Sequence, residues 1–413
     1  MLFFKECKKV IFSLTFIIYL ATAFAMYFTQ FHNDRAPVRK PSPSDEYFGT
    51  VAREDPEIMM PNAVEGLVGE YLSGSFSAYP YGFYKNVRLN EKKKTRLAEV
   101  ITELSGLTAY DLDNFEDYQE GGYVMSEGGS IVYEEANLPE INIPDDLTYE
   151  RFRQLMREAD KIIGGGSRYS DEFIVGNFSL VPKTYEDALA EYARFLNDDK
   201  ITGAYARLYC DYMGIDLAIL PVFVAAALAG LDKKSRMEQL VYSRKVSSAK
   251  LVFTRFFALV AVMLIPVIIT AVIAYFNVKN IYPGAALDNF AFFRCAGYWL
   301  VPNILVSAAV GMLVTEMMSG LIAILVQGGW WFMSIFASEG GLTGEIKPFT
   351  LVMRHNNVLK ADVFAMEMKI VIFNRIFFTV LSIALVALTA IIYGLKRRGI
   401  FNGLSDLGKN SDR

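Results

Sequence analysis

The sequence predicts an all-α polytopic membrane protein: a bundle of six transmembrane helices, plus an α or α+β domain outside the membrane. Of its 413 residues, 53% are hydrophobic and 21% are charged, which is more apolar than a soluble domain usually is. The apolar residues also gather in runs of about twenty, the length that a helix needs to cross a hydrocarbon core of ~30 Å. The six runs are 10–29, 212–231, 251–276, 292–314, 318–337 and 370–394.

The first run belongs to residues 1–30, which we interpret as a cytoplasmic N-terminus followed by the first transmembrane helix. Three lysines between residues 5 and 9 precede the run, and the Ala-Thr-Ala-Phe-Ala stretch at 21–25 imitates a signal-peptidase site. The apolar run continues to Phe28, longer than the apolar core of a typical signal peptide. We therefore expect a retained span, with a cleaved signal peptide as the alternative.

Residues 31–205 are predicted to form an extracytoplasmic domain that begins with a proline-rich linker. Between residues 31 and 204 there are 32 acids and 18 bases, a net charge of −14. Three helices are predicted, at 91–104, 148–162 and 184–197. The glycines at 164–166 provide a stop for the second helix, and Thr184 with Asp187 has the spacing of a capping box at the start of the third.

Residues 206–413 are predicted to be the transmembrane domain, with spans two to six, a cytoplasmic coupling helix near 233–247 and a basic cytoplasmic tail. Outside residues 31–204 there are 13 acids and 23 bases, a net charge of +10. These bases cluster at 5–9, 233–250 and 396–398. Because short loops rich in Lys and Arg face the cytoplasm, six successive crossings place both termini inside and the acidic domain outside the cell membrane.

Catalytic motifs are absent from the sequence. It has two histidines and no HExxH zinc helix, no G-x-S-x-G elbow and no G-x-x-x-x-G-K-[ST] phosphate loop. We therefore expect no enzyme active site, no metal and no cofactor on this chain, and no nucleic-acid partner. Cys210 and Cys295 lie near the outer ends of their spans, where they can pair or behave as small buried hydrophobic residues.

Four charged residues lie inside the apolar runs, and we predict that three of them lie at similar depths near the outer surface. These three are Asp216, Arg294 and Arg375. Charged groups in lipid are costly and often mark function. A salt bridge among the three would satisfy them structurally, whereas a translocation path would use them to contact a substrate.

Two amides are predicted to lie deeper in the membrane. Asn303 is in the fourth run, and Gln327 precedes Gly328 and Gly329 in the fifth. Small residues permit close helix approach and amides bond across helices, so packing and substrate contact are the two interpretations. Arg255 lies near the cytoplasmic end of the third run, where its side chain can snorkel to the interface.

The segment RMEQLVYSRKVSSAKLVFTRFFALV, residues 236–260, joins the second and third runs. Met237, Leu240 and Val241 fall at positions i, i+3 and i+4, an apolar stripe on a short helix. Its bases would lie close to anionic lipid headgroups. An amphipathic helix on the inner membrane surface is one interpretation of this pattern.

The same segment resembles the cytoplasmic elbow of type 2 ABC transporter permeases, where a short helix with an acid precedes a small-residue turn and a span with an early base. The corresponding residues here are Glu238, Leu240, Val241, Val246, Ser247 and either Lys250 or Arg255. The six runs, the short turn at 315–317 and the basic tail 393–398 are also similar to that family.

The resemblance implies the transmembrane subunit of an ABC exporter, working in the lipid bilayer as a homodimer or as a heterodimer with a related permease. A separate cytoplasmic ATPase would bind ATP and Mg²⁺ under each half. The elbow helix would dock on that ATPase and pass its movement to the spans. The docking residues implied are Met237, Glu238, Leu240, Val241, Tyr242 and Arg244.

Two other function classes remain open. A membrane-anchored sensor would bind a ligand through the acidic outer domain, although one or two spans would be enough to anchor it. A polytopic membrane enzyme would need a catalytic constellation, which we do not find in the sequence.

Overall fold

A computed structural model of the chain describes residues 2–78, 85–115, 122–125, 131–134, 137–338, 348–355 and 357–401, with the backbone alone in 122–125, 131–134 and 336–338. The chain divides into two compact units. We call Met1–Lys40 with Leu189–Arg413 the membrane unit, and Pro41–Ala188 the inserted unit.

Helices make up most of the described chain, and a π-helical turn, Tyr27–Phe31, joins the second to the third. The helices are α1 (Leu2–Ile11), α2 (Leu14–Met26), α3 (His32–Asp34), α4 (Pro56–Ser73), α5 (Glu91–Ser105), α6 (Ala109–Asp113), α7 (Tyr149–Ile163), α8 (Ile174–Phe178), α9 (Tyr185–Asn197), α10 (Thr202–Leu217), α11 (Pro221–Ala229), α12 (Leu231–Lys234), α13 (Glu238–Tyr242), α14 (Ser248–Ile281), α15 (Ala291–Met317), α16 (Gly320–Ser338) and α17 (Ala361–Arg397). The strands are β1 (Thr50–Ala52), β2 (Phe76–Ala78), β3 (Lys85–Val87), β4 (Gly122–Met125), β5 (Ile131–Glu134) and β6 (Leu180–Pro182).

Five helical segments in the described part of the membrane unit are long and apolar enough to cross a membrane, which makes the chain a multi-pass α-helical membrane protein. They are Leu14–Asp34, Thr202–Ala229, Ser248–Ile281, Ala291–Met317 and Ala361–Arg397. The fifth predicted run corresponds to α16, whose 19 residues rise about 28 Å. The second and last segments begin about ten residues before the predicted runs.

Helix α15 lies at the centre of the membrane unit and packs against α10, α11, α14, α16 and α17. Gly311 lets α11 approach, because a Cβ there would lie 2.7 Å from Ala225 Cβ and 3.1 Å from the Val222 carbonyl oxygen. At Gly328 and Gly329, where packing was one of two interpretations, no heavy atom of the described chain lies within 4 Å of an added Cβ.

The inserted unit has its own hydrophobic core between α4, α5 and α7. Asn90 caps the start of α5, Thr148 caps α7, and Gly164, with φ 134°, ends α7. The predicted helices 91–104 and 148–162 are therefore confirmed to within one residue at each end. The predicted capping box of α9 is also confirmed, because Thr184 and Asp187 exchange hydrogen bonds of 3.1 and 3.2 Å.

The described residues of the inserted unit also form three two-stranded antiparallel sheets. Strand β1 pairs with β6, β2 with β3, and β4 with β5. The pairing of Thr50 with Pro182 joins the two ends of this unit, since the strands are separated by most of its sequence. The described part of the inserted unit therefore contains helices together with short antiparallel strands.

Candidate functional site

Four segments of the membrane unit meet at one end of the bundle, which we call the basic end: α1, residues 231–247, the turn between α15 and α16, and the last turn of α17. The rings of Tyr242 and Tyr393 pack edge to face with centroids 5.4 Å apart. Lys396 Nζ lies 3.7 Å from a carboxylate oxygen of Glu316. The three basic clusters of the sequence therefore lie at the same end.

A buried ion cluster connects α1 to the rest of the basic end. Arg255 of α14 donates to Asp232 Oδ2 over 2.6 Å, and its Nε lies 3.6 Å from Glu6 Oε2. All three side chains are largely buried. The predicted snorkelling of Arg255 is wrong, because two carboxylates from separate segments neutralise the guanidinium where it lies.

Residues 231–247 form two short helices, so the single coupling helix predicted near 233–247 is interrupted. The interruption is at Arg236, whose φ of 56° is left-handed, a conformation that non-glycine residues rarely adopt. The Met237 N–H closes the turn by donating to the Asp232 carbonyl over 2.9 Å. Arg397 fixes the far end by donating to the carbonyls of Arg244 at 2.7 Å and Val246 at 2.5 Å.

The residues predicted to dock on an ATPase divide into two faces. Met237 and Leu240 are 45% and 54% exposed, whereas Val241 is buried. Tyr242 lies half-buried against α17, and burial together with the Glu316 carboxylate raises the pKa of its hydroxyl. The predicted stripe of Met237, Leu240 and Val241 is therefore not one face: Val241 holds α13 on the bundle while the other two point away.

The two charged docking residues also differ in their surroundings. Glu238 is half-buried and lines a cavity of about 210 Å³ together with Asp232 and Glu316. The Arg244 side chain is exposed, while its carbonyl accepts from Arg397. Of the two side chains, only that of Arg244 is exposed to solvent and so accessible to a partner protein.

The second span is broken in the middle of its length, between α10 and α11. Pro221 has no N–H to donate and disfavours continuous helix, so the Ile219 and Leu220 N–H groups both bond to the Asp216 carbonyl. This tightening leaves the Ile215 and Ala218 carbonyls free of their usual helical donors.

Side chains of α16 satisfy the carbonyls at this break. Gln327 Nε2 donates to Ala218 over 2.7 Å, and Trp331 Nε1 donates to Ile215 over 2.8 Å. Unpaired backbone groups in lipid cost several kcal/mol each, so these bonds make the break tolerable. Gln327 thus acts on the backbone of another helix, as the packing interpretation expected.

Arg375 lies buried at the centre of the bundle, bonded to oxygens of other segments. It donates to Asn303 Oδ1 at 2.6 Å, to the Trp299 carbonyl at 3.0 Å and to the Leu351 carbonyl at 3.4 Å. Its Nε donates to Asn374 Oδ1 over 2.8 Å. No carboxylate of the described residues pairs with this cation.

The structure does not bring Asp216, Arg294 and Arg375 together, so the salt bridge considered among them is not formed. Asp216 lies near the middle of the second span rather than at its outer end, because that span begins at Thr202. Arg294, in the first turn of α15, pairs with Asp288 and lowers the pKa of that carboxyl. Arg375 lies deeper, level with Asn303, which is about 13 Å further along α15 than Arg294.

Cys210 and Cys295 are both buried free thiols, without the disulfide that their predicted depths allowed. Within the described ranges, no group of three His, Cys, Asp or Glu side chains is placed to hold a metal ion.

The buried bonds of Asn303, Gln327 and Arg375, with the carbonyls at the break before Pro221, form a set of contacts that we call the polar centre. The sequence interpretation missed three residues that take part in it: Trp299, Trp331 and Asn374. Each lies within a predicted apolar run, and a polar tip among apolar neighbours was the available signal.

Comparison with protein-family models, with curated proteins and with solved structures gave no match for this chain.

Proposed function

We propose that this chain is the membrane-spanning subunit of an ABC-type transporter, an exporter that works as a homodimer or with a related permease. A separate cytoplasmic ATPase would bind ATP and Mg²⁺ and supply the driving force. The observation that carries the proposal is the construction of residues 231–247. They are anchored to three helices on one side and present Met237 and Leu240 on the other.

The contacts of residues 231–247 suit a segment that transmits movement from a partner to the helices of the bundle. Arg255 links the segment to α1 and α14, and Arg397 with Tyr393 links it to α17. A partner that displaced residues 231–247 would therefore move the ends of several helices together. In this proposal the chain performs no covalent chemistry and couples two distant sites by a change of conformation.

The six-crossing topology is part of the same proposal, and contacts at both ends of α17 support it. Its last turn lies beside Glu316 at the end of α15, whereas its first turn lines a cavity with Arg294 at the start of α15. In this proposal α16, which lies between Met317 and Ala361, returns the chain from one end of the bundle to the other.

The polar centre is the proposed translocation path. The break at Pro221 and the carboxylate-free Arg375 lie at membrane depth, and both interrupt regular helix packing with polar groups. Interrupted helices and buried ionisable groups within the bilayer commonly line transport pathways.

The test uses the full chain, purified in mild detergent from its native membrane, with vanadate-inhibited ATP hydrolysis measured in the eluate. We expect wild type to co-purify with this ATPase activity, and Leu240→Asp to reduce the activity at least about tenfold. A charge at the centre of the proposed interface with the ATPase would disrupt binding. Gln239→Asp adds the same charge beside Leu240 on α13 and is expected to retain the activity.

Two results would overturn the proposal. One is a wild-type preparation without any co-purifying ATPase, which a sensor or an anchored binding protein would give. The other is a Leu240→Asp variant that inserts normally and keeps full ATPase activity, which would place the partner elsewhere.

A further inference from the structure

A basic groove lies between α5 and α7 of the inserted unit, and the proposed transport function does not use it. Its volume is about 860 Å³, and its charged lining is Lys92, Lys93, Arg96, Arg157, Lys161 and Glu158. Lys93 Nζ donates to the Ile162 carbonyl over 2.7 Å, which ties the two helices together at the groove.

The groove is rich in basic residues, although the inserted unit as a whole contains more acids than bases. Residues 41–188 contain 28 acids and 13 bases. Five of those 13 bases line the groove, but only one of the 28 acids does. An even distribution would place about two acids there for each base. The groove is therefore a local positive field on a negatively charged unit, the arrangement that attracts and selects an anion.

Enough of this charge remains free to bind a ligand. Lys92 and Lys161 are exposed, and no described residue forms an ion pair or hydrogen bond with either ammonium group. Arg157 uses its Nε on Asp171, at 2.6 Å, and keeps its terminal nitrogens. Arg96 pairs with Glu158, the acid of the groove lining, at 2.8 Å.

The bases of the groove are arranged in two rows. Lys92 and Arg96 are four residues apart on α5, and Arg157 and Lys161 are four residues apart on α7. Residues at this spacing share a helix face and are separated by about 6 Å along the axis. Two rows that face each other across a concave surface suit an extended chain better than a flat membrane. Guanidinium groups also bind phosphate oxygens through paired hydrogen bonds.

We propose that this groove binds a soluble, chain-like anion that carries several phosphate groups. The two rows of cations hold successive phosphates, and the acidic surface around the groove excludes anions that fit less well. This site is independent of the ATPase-docking segment, so either proposal can fail without the other.

The test measures binding of fluorescent linear inorganic polyphosphate to the full chain in phosphatidylcholine nanodiscs, over a series of salt concentrations. For the double variant Lys92→Gln/Lys161→Gln we expect affinity to fall about tenfold. The slope of log K against log salt should fall by about 1 to 2, because removing one lysine that binds a phosphate reduces this slope by about 1. Both side chains are exposed, so the fold is expected to survive.

The matched control is Lys85→Gln, which removes an exposed lysine of β3 in the same unit and should leave the affinity within about twofold, as for a charge outside the binding groove. The proposal is overturned if wild type does not bind polyphosphate, or if the control loses as much affinity as the double variant. It is also overturned if orthophosphate or phosphatidylglycerol vesicles displace polyphosphate at equal phosphate concentration, since the ligand would then be a single phosphate or a lipid surface.

Discussion

Buried polar side chains make specific hydrogen bonds in both units. In the inserted unit, Glu70 makes such bonds through a titratable carboxyl, so its contribution to stability depends on pH. Its Oε2 accepts from the Tyr169 hydroxyl at 2.8 Å, and its Oε1 accepts from the Ser77 N–H at 3.2 Å. Burial nevertheless raises the pKa of this carboxyl, because the ionised form is poorly solvated. The neutral acid is thus favoured by folding. Its contribution to stability is complete below the unfolded pKa and is lost as the pH rises through the folded pKa.

Replacing Glu70 by Gln should therefore remove this step from the pH dependence of unfolding. The Gln oxygen can still accept from the Ser77 N–H, and its amide nitrogen can donate to the Tyr169 hydroxyl oxygen, which reverses that bond. We expect Glu70→Gln to be at least as stable as wild type at neutral pH, measured by urea-dependent pulse proteolysis of the full chain between pH 4 and 8. Glu70→Ala should lose about 1–3 kcal/mol, since Tyr169 and Ser77 are left without their acceptor.

The comparison between Glu70→Gln and wild type isolates one group. Asp171, whose pKa is lowered by Arg157, has the opposite sign, because its contribution disappears as the pH falls. That contribution is common to both proteins and cancels. An unchanged difference in stability between the two proteins across this pH range would contradict our account of Glu70.

At this scale the sequence identified polar residues but not their partners. Asn303, Gln327 and Arg375 are recognisable because they interrupt apolar runs. Asn303 bonds to Arg375, 72 residues away, and Gln327 bonds to a carbonyl 109 residues away. Such pairs depend on which helices become neighbours, and hydropathy along one helix carries no information about its neighbours.

Among the elements, the junction between α10 and α11 depends on donors from a different helix. Gln327→Leu removes the donor to the Ala218 carbonyl, and we expect a loss of about 1 kcal/mol, the usual size of such bonds between transmembrane helices. Hydrogen–deuterium exchange should become faster at residues 218–222 and stay unchanged in α14. Met333→Leu, at an exposed position of the same helix, is the control. Equal exchange at 218–222 in both variants would show that the break needs no donor from α16.

Element boundaries were predictable where local chemistry sets them. Helices α5 and α7 begin at caps and end at left-handed or otherwise glycine-favouring positions, and both signals are local. The second span was predicted to begin too late because its first turns carry Arg207 and Asp211. Arg207 is buried in an ion pair with Asp199, and a hydropathy pattern reads such charges as solvent-exposed.

For the whole molecule, the basic end implies one orientation in the membrane. We consider a chain whose three native cysteines are replaced and to which one new cysteine is added at a time. The thiols of Ser235→Cys and Arg398→Cys should react with an impermeant maleimide only after the membrane is permeabilised. The thiol of Ser44→Cys should react in intact cells. All three positions are exposed, and bases near span ends stay in the cytoplasm. The reverse pattern, or labelling of Ser235 and Arg398 from opposite sides, would contradict the topology.

The ion cluster of Glu6 and Arg255 also has a consequence for synthesis. These residues are about 250 positions apart, which takes about 12 to 50 s to translate at 5–20 residues per second. During that time α1 has been made but its partner on α14 has not. Helix α1 is therefore made well before α14 and can reach its final position only after Arg255 has been translated. A nascent chain that stops before Arg255 leaves the Glu6 carboxylate with Lys9 of its own helix as its ion partner, and without the guanidinium that joins α1 to α14.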